Sequence, residues 1–244
     1  MNKRWVWLLV VLVPGIVLAT VLTTLPASLF LGGEHKGLPL ERIEGRVWAG
    51  QAVLDWPGQA PVALRWRWSG GLTWDWFVEA DAIDLHGQWR LNDRSAVNGV
   101  EGQVDVQALD IAQWLVVTWP QGVLDVDIDY AHWNRPDRLI ATGQVTWQQA
   151  GLAGLVNESL GDVVVVLKPS EAEVGHTDIQ IRSQSGGAVS VSGDVLTNGD
   201  RFEAKITLTP DPARPDVARF FQSLGPNRDG AVVIERSGSL GLFQ

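Results

Sequence analysis

The chain has 244 residues and a formal net charge of −9, with 45% hydrophobic residues spread along its length rather than gathered into several spans. That length suits one sizeable domain or two small ones, and the spread suits one packed body with at most one membrane segment. The acidic balance repels phosphate backbones and excludes nucleic acid as a partner, while the absence of cysteine excludes disulfides, thiolate metal sites and cysteine nucleophiles.

The N-terminus sets the expected location. Lys3 and Arg4 precede an apolar stretch that opens Trp5-Val6-Trp7-Leu8 and runs to about Leu31, with no charged residue between Arg4 and Glu34. A hydrocarbon core of about 30 Å needs roughly 20 apolar residues in a helix, and this stretch supplies them. Trp5 and Trp7 stand where an interfacial aromatic belt belongs, and the positive end stays cytoplasmic. The expected layout is a cytoplasmic 1–4, a transmembrane anchor at 5–31 and a periplasmic body at 32–244, single-pass in the inner membrane of a Gram-negative bacterium. A cleaved signal peptide is the competing reading. The run is longer than the usual 7–15-residue apolar region of such peptides, and no Ala-x-Ala site follows it.

From Leu38 onward, period-two alternation predicts strands. Leu64, Trp66 and Trp68 alternate with Arg65 and Arg67; after Ser69-Gly70-Gly71, Leu72, Trp74, Trp76 and Val78 continue the pattern. Two such runs joined by a short Gly-rich link predict a hairpin. Further apolar faces are Val100/Gly102/Val104/Val106, Leu124/Val126/Ile128/Tyr130, Leu139/Ala141/Gly143/Val145/Trp147, Val189/Val191/Gly193/Val195 and Phe202/Ala204/Ile206/Leu208. Strict alternation means one buried and one wetted face, the antiparallel habit. Two short helices are expected. One spans Ala108 to Thr118, closed by Trp119-Pro120; the other spans Pro215 to Leu224, with proline at its first position, Gly225 after its end, and a covering role over one end or face of the sheet. A Gly-x-apolar echo at Gly45, Gly87, Gly102, Gly143, Gly193 and Gly238 places glycine at or near strand starts, where a neighbouring backbone approaches closely or the strand bends. The fold class expected is all-β and mainly antiparallel, a curved sheet or open barrel-like body with one N-terminal transmembrane helix.

Chemistry-bearing patterns are sparse. His35, His86, His132 and His176 show no metal-ligand spacing, and there is no Gly-x-Ser-x-Gly elbow and no phosphate-binding loop. Asp125, Asp127 and Asp129 share one strand face, but a calcium loop needs a Gly turn and a bidentate Glu that are missing, so a solvated outer face is expected. Seven tryptophans lie between Trp48 and Trp89. Alternation turns Trp66, Trp68, Trp74 and Trp76 inward, which favours core packing over a carbohydrate or lipid platform; a sheet that curves without closing makes the same wall the lining of a hydrophobic groove. No catalytic, cofactor or metal residue is assigned.

Several local words carry a family resemblance. Leu25-Pro26-Ala27, then Ile43-Glu44-Gly45-Arg46-Val47-Trp48-Ala49-Gly50, resemble the opening of type II secretion system protein N. The Arg65-Trp66-Arg67-Trp68 strand with Leu72 fits the same family's next segment. Leu224-Gly225, Asp229-Gly230 and Ser237-Gly238-Ser239-Leu240 resemble its closing pattern, whereas residues 150–190 carry no such word. The resemblance implies a bitopic inner-membrane component with a periplasmic β-rich domain, in the apparatus that exports folded proteins through an outer-membrane secretin. It implies no catalytic residue and no cofactor. The expected partners are the inner-membrane platform of that apparatus and the secretin. The family is also similar in character to β-rich bridge proteins that handle lipid, so a periplasmic lipid- or glycan-binding groove is the alternative, and a hydrolase is the third and weakest class.

Overall fold

A computed structural model of the chain describes residues 24–28, 40–54, 61–90, 93–108, 118–133, 139–154, 158–197, 201–222, 227–228 and 230–239. The predicted anchor at 5–31 therefore lies almost wholly outside the described residues, as does most of the helix expected over Ala108–Thr118. Among the described residues no helix is long and apolar enough to cross a membrane.

The strands are β1 (Leu40–Arg46), β2 (Ala49–Leu54), β3 (Val62–Gly70), β4 (Thr73–Ala80), β5 (Ile83–Arg90), β6 (Asp93–Asp105), β7 (Thr118–Trp133), β8 (Leu139–Gly154), β9 (Glu158–Pro169), β10 (Thr177–Gly186), β11 (Val189–Thr197), β12 (Arg201–Pro210), β13 (Asn227–Arg228) and β14 (Ala231–Ser239), with one helix, α1 (Pro215–Gln222), between β12 and β13. They form one 14-stranded sheet in which each strand pairs with its sequence neighbour, except that β14 sits between β12 and the two-residue β13. Every pairing is antiparallel. The sheet is an open meander, not a closed barrel, and its connections alternate between two ends. One end carries the β1–β2 and β3–β4 turns and the β9–β10 loop; the other carries the β4–β5 and β10–β11 turns and α1.

The predicted hairpin forms between β3 and β4, with Trp66 opposite Trp76 and Trp68 opposite Trp74. Leu72 is not part of the strand face: it stands in the turn, 53% exposed. In β7 the face holds as far as Ile128. The register then shifts between Ile128 and Tyr130, and Tyr130 pairs with Thr142 while Ala131 pairs with Ala141. That bulge at Asp129 moves Tyr130 to the polar side and gives its expected place to Ala131, as an extra residue in one strand must. The expected closing pair Trp119-Pro120 is instead the start of β7, paired with Ala153 and Leu152. Val106–Ala108 forms a single 3-10 turn.

The helix at Pro215 forms as expected. Arg214 accepts the first helical hydrogen bond from Ala218 N–H at 3.1 Å, and the missing proline donor costs nothing in the first turn. Val217 on α1 packs against Ala150, Leu160, Val163, Val189 and Val232, so the buried core lies at one end of β8–β14. Arg214 donates to Glu158 Oε1 at 2.6 Å, tying the entry to α1 to the start of β9.

A second fastening lies at the opposite end. Thr177, fully buried, donates from Oγ1 to Leu139 O at 2.7 Å and accepts from Ala141 N–H at 3.0 Å. Its hydroxyl thus joins β10 to β8 where β9 runs out. Thr177→Val keeps the shape but leaves a buried donor and acceptor unmatched. The expected loss is about 1–3 kcal/mol, read from the urea midpoint of the detergent-solubilised chain.

Candidate functional site

The registers align one row of apolar residues and glycines across the sheet, from β2 to β14. Ala52, Leu64, Val78 and Leu85 are successive partners on β2–β5. Gly102, Val126, Val145 and Val165 continue the line on β6–β9. Ile181, Gly193, Ile206 and Ile234 complete it on β10, β11, β12 and β14. At an interstrand spacing of about 4.8 Å this line extends roughly 50 Å. The reverse side at neighbouring positions carries Arg65, His86, Glu101, Asp127, Gln144, Gln180, Asp194, Lys205 and Glu235, interrupted by Phe77 on β4 and Val166 on β9. Apart from the buried Ala52, the residues of the line are only half-buried. They form a wall that nothing among the described residues fully covers.

Two of the echo glycines stand in the line itself. Gly102 and Gly193 are mid-strand, not at strand starts, and so are Gly87 and Gly143. Close approach, the other half of the expectation, holds: a Cβ on Gly102 would lie 1.9 Å from Asp84 O, and φ there is +141°.

The tryptophans gather at the end of the sheet that holds the β1–β2 turn. Trp48 stacks on Trp74 (centroids 5.7 Å, interplanar 13°), meets Trp68 edge-on at 5.8 Å, and Trp74 leans on Trp89 at 5.5 Å. The expectation that Trp66, Trp68, Trp74 and Trp76 are core is corrected in part. Trp74 is 4% exposed, but Trp68 is 46% exposed, and Trp66 and Trp76 are half-buried. All four do share the apolar side; among the described residues no second layer lies over Trp66, Trp68 and Trp76 to bury them. Backbone carbonyls accept the indole N–H groups of Trp66 (Arg46 O, 3.1 Å), Trp68 (Gly71 O, 3.0 Å) and Trp74 (Val47 O, 3.0 Å).

Leu25–Ala27 lies against this corner. Ala27 N–H donates to Gly45 O at 3.2 Å and Val47 N–H to Leu25 O at 3.1 Å, with Pro26 bridged to Arg46. Val47 is the junction: its N–H holds the incoming segment and its carbonyl holds the Trp74 indole. Two of the words that carry the family resemblance, distant in sequence, therefore meet in space.

The titratable candidates are not brought together. His86 on β5 lies 3.8 Å from Glu101 and stacks on Phe77. His132 on β7 stacks on Tyr130. His176 sits in the β9–β10 loop, 2.5 Å from Glu173, and His35 is outside the described residues. Asp125 and Asp127 are on the polar side, where Asp125 accepts from Gln148 Nε2 at 3.3 Å, and Asp129 sits at the bulge. Among the described residues no three His, Asp or Glu side chains converge as a metal-holding group. The continuous apolar line itself went unread in the sequence. Alternation signalled each strand's face, but only the registers align the faces across the sheet.

No curated protein and no solved structure matches this chain. Residues 36–235, most of the chain, match the family model described as type II secretion system (T2SS), protein N. The matched stretch takes in all of β1–β13, with the β1–β2 turn that holds Leu25–Ala27, and the first part of β14. The chain belongs to the type II secretion system protein N family and is a component of that secretion system.

Proposed function

We propose that this chain is an accessory, structural subunit of the type II apparatus, tethered in the inner membrane by the part of the apolar stretch at 5–31 that precedes Leu25, with its sheet, to which Leu25–Ala27 is bonded, in the periplasm. There it contributes to export of folded proteins across the outer membrane. It works through contacts rather than catalysis: lateral contacts of its anchor, and edge or groove contacts of its sheet with the inner-membrane platform and the secretin. The observation that carries this reading is an all-β body of the protein N family whose one extended feature is a half-exposed apolar wall, a contact surface rather than a reaction pocket. Deleting the gene is expected to leave secreted proteins stranded in the periplasm, with export restored by the wild-type chain. Platform components are expected to co-purify with it after cross-linking. Normal export in the deletion strain, without such co-purification, overturns the proposal.

A second reading has its own observation. An unbroken apolar line of about 50 Å suits acyl chains, making the body a lipid-binding groove of the cell envelope. Native mass spectrometry of the chain released from mild detergent separates the two readings: a reproducible co-purifying lipid favours the groove, and a bare chain favours the contact surface.

A further inference from the structure

The tryptophan corner combines features that a protein core does not need. Among the described residues the exposed large hydrophobic side chains are Trp68, Leu72 and Val174. All three stand at one end of the sheet, in β3, its turn and the β9–β10 loop. The opposite end shows no such side chain among the described residues; its β4–β5 turn is Asp81-Ala82. Leu25–Ala27, the residues that follow most of the apolar N-terminal stretch, are pinned to this same end one residue from Trp48. Arg46 and Arg90, both exposed, end β1 and β5 beside the indoles, in a chain whose formal net charge is −9. Indole rings with an apolar body and a satisfied N–H favour the boundary between hydrocarbon and headgroups, and arginines at that level face lipid phosphates.

We propose that Trp48, Trp68, Leu72 and Trp89, backed by the buried Trp74 and flanked by Arg46 and Arg90, form a docking surface for the phospholipid bilayer that holds the chain's own anchor. The inference rests on the tether reading of the apolar stretch that precedes Leu25. It adds that the body does not hang freely from that tether. The corner seats it, with the β3–β4 tip dipping into the interface and the strands rising from the membrane surface. The half-exposed apolar wall then begins at the lipid boundary.

The absence of cysteine makes the test direct. The full chain, as Leu72→Cys or Asp81→Cys, is labelled with a polarity-sensitive fluorophore and reconstituted into phosphatidylethanolamine–phosphatidylglycerol vesicles carrying headgroup nitroxides. Both positions are exposed turn residues, so folding is preserved. The label at 72 is expected to be quenched several-fold more than the label at 81, and Trp68→Ser combined with Leu72→Cys is expected to lower that quenching. A chain retained in carbonate-washed vesicles whose two labels are quenched equally overturns the docking surface and leaves the tether standing. Release of the chain by carbonate overturns the tether reading and this proposal with it. A label at 72 that stays in water until other subunits of the apparatus are added, and is then shielded without lipid quenching, assigns the corner to a protein and also overturns the proposal.

Discussion

Gly102→Val is expected to prevent the sheet from forming across β5 and β6. The new Cβ would lie 1.9 Å from Asp84 O and 2.9 Å from Leu85 Cα, both backbone atoms of the paired strand. Neither can swing aside as a flexible side chain would. The backbone at φ +141° is also one that a β-branched residue does not adopt without strain. Strand separation is the only relief, and it breaks pairs on both sides of Gly102, since β6 also carries β7. A loss above about 4 kcal/mol is expected, a large share of the total stability of an ordinary domain. Gly99→Ala is the control. Gly99 has φ +54° but open space around its missing side chain, so only the left-handed backbone is penalised, by about 1–2 kcal/mol. Urea unfolding of the solubilised chain, followed by tryptophan fluorescence, reads both; equal midpoints for the two variants would show that the close approach at Gly102 is unimportant.

Trp74→Ala is expected to loosen the first part of the sheet together with the segment that enters it. The indole is buried between Trp48 and Trp89 and donates to Val47 O. Removing it opens a cavity and strips the acceptor of its donor, for a combined cost of about 3–5 kcal/mol. Because Val47 N–H holds Leu25 O, the damage should reach residues 25–27. Amide hydrogen exchange at Val47 and Ala27 is expected to accelerate well beyond that of the β10–β12 amides. Trp74→Phe keeps most of the packing and loses the N–H, so it should cost about 1 kcal/mol. Unchanged protection at Val47 and Ala27 in Trp74→Ala would dissociate the indole from the incoming segment.

Much of this architecture was written in period two. The faces read from β8, β11 and β12 lie together on the apolar side, because alternation reports directly which residues share a side of a pleated strand. What alternation does not report is whether anything covers that side. Trp66, Trp68 and Trp76 are apolar-facing yet not buried, since no second layer lies over them among the described residues. Nor does it register an inserted residue, so Tyr130 was placed one side wrong by the bulge at Asp129. β9 escaped the reading for a different reason. Val163, Val164, Val165, Val166 and Leu167 form an unbroken apolar run, and Val163 and Val164 are both buried although they point to opposite sides. Such a run carries no alternation to assign a face. The tryptophan corner was visible as a cluster of indoles, but its contact with Leu25–Ala27 was not. That contact is made by backbone groups, and no side-chain pattern announces which two segments will share them.

The strand order has a consequence for how such a chain is made. A polypeptide made from its N-terminal side presents β1 first, and each strand from β2 to β12 finds a partner in the strand just before it. Each arriving hairpin finds its template already in place, so the sheet grows in the direction of delivery, much as a repeat array propagates from unit to neighbouring unit. On the growing side the sticky margin at any moment is the newest strand, and it is occupied as soon as the next one appears, which shortens its exposure to wrong partners.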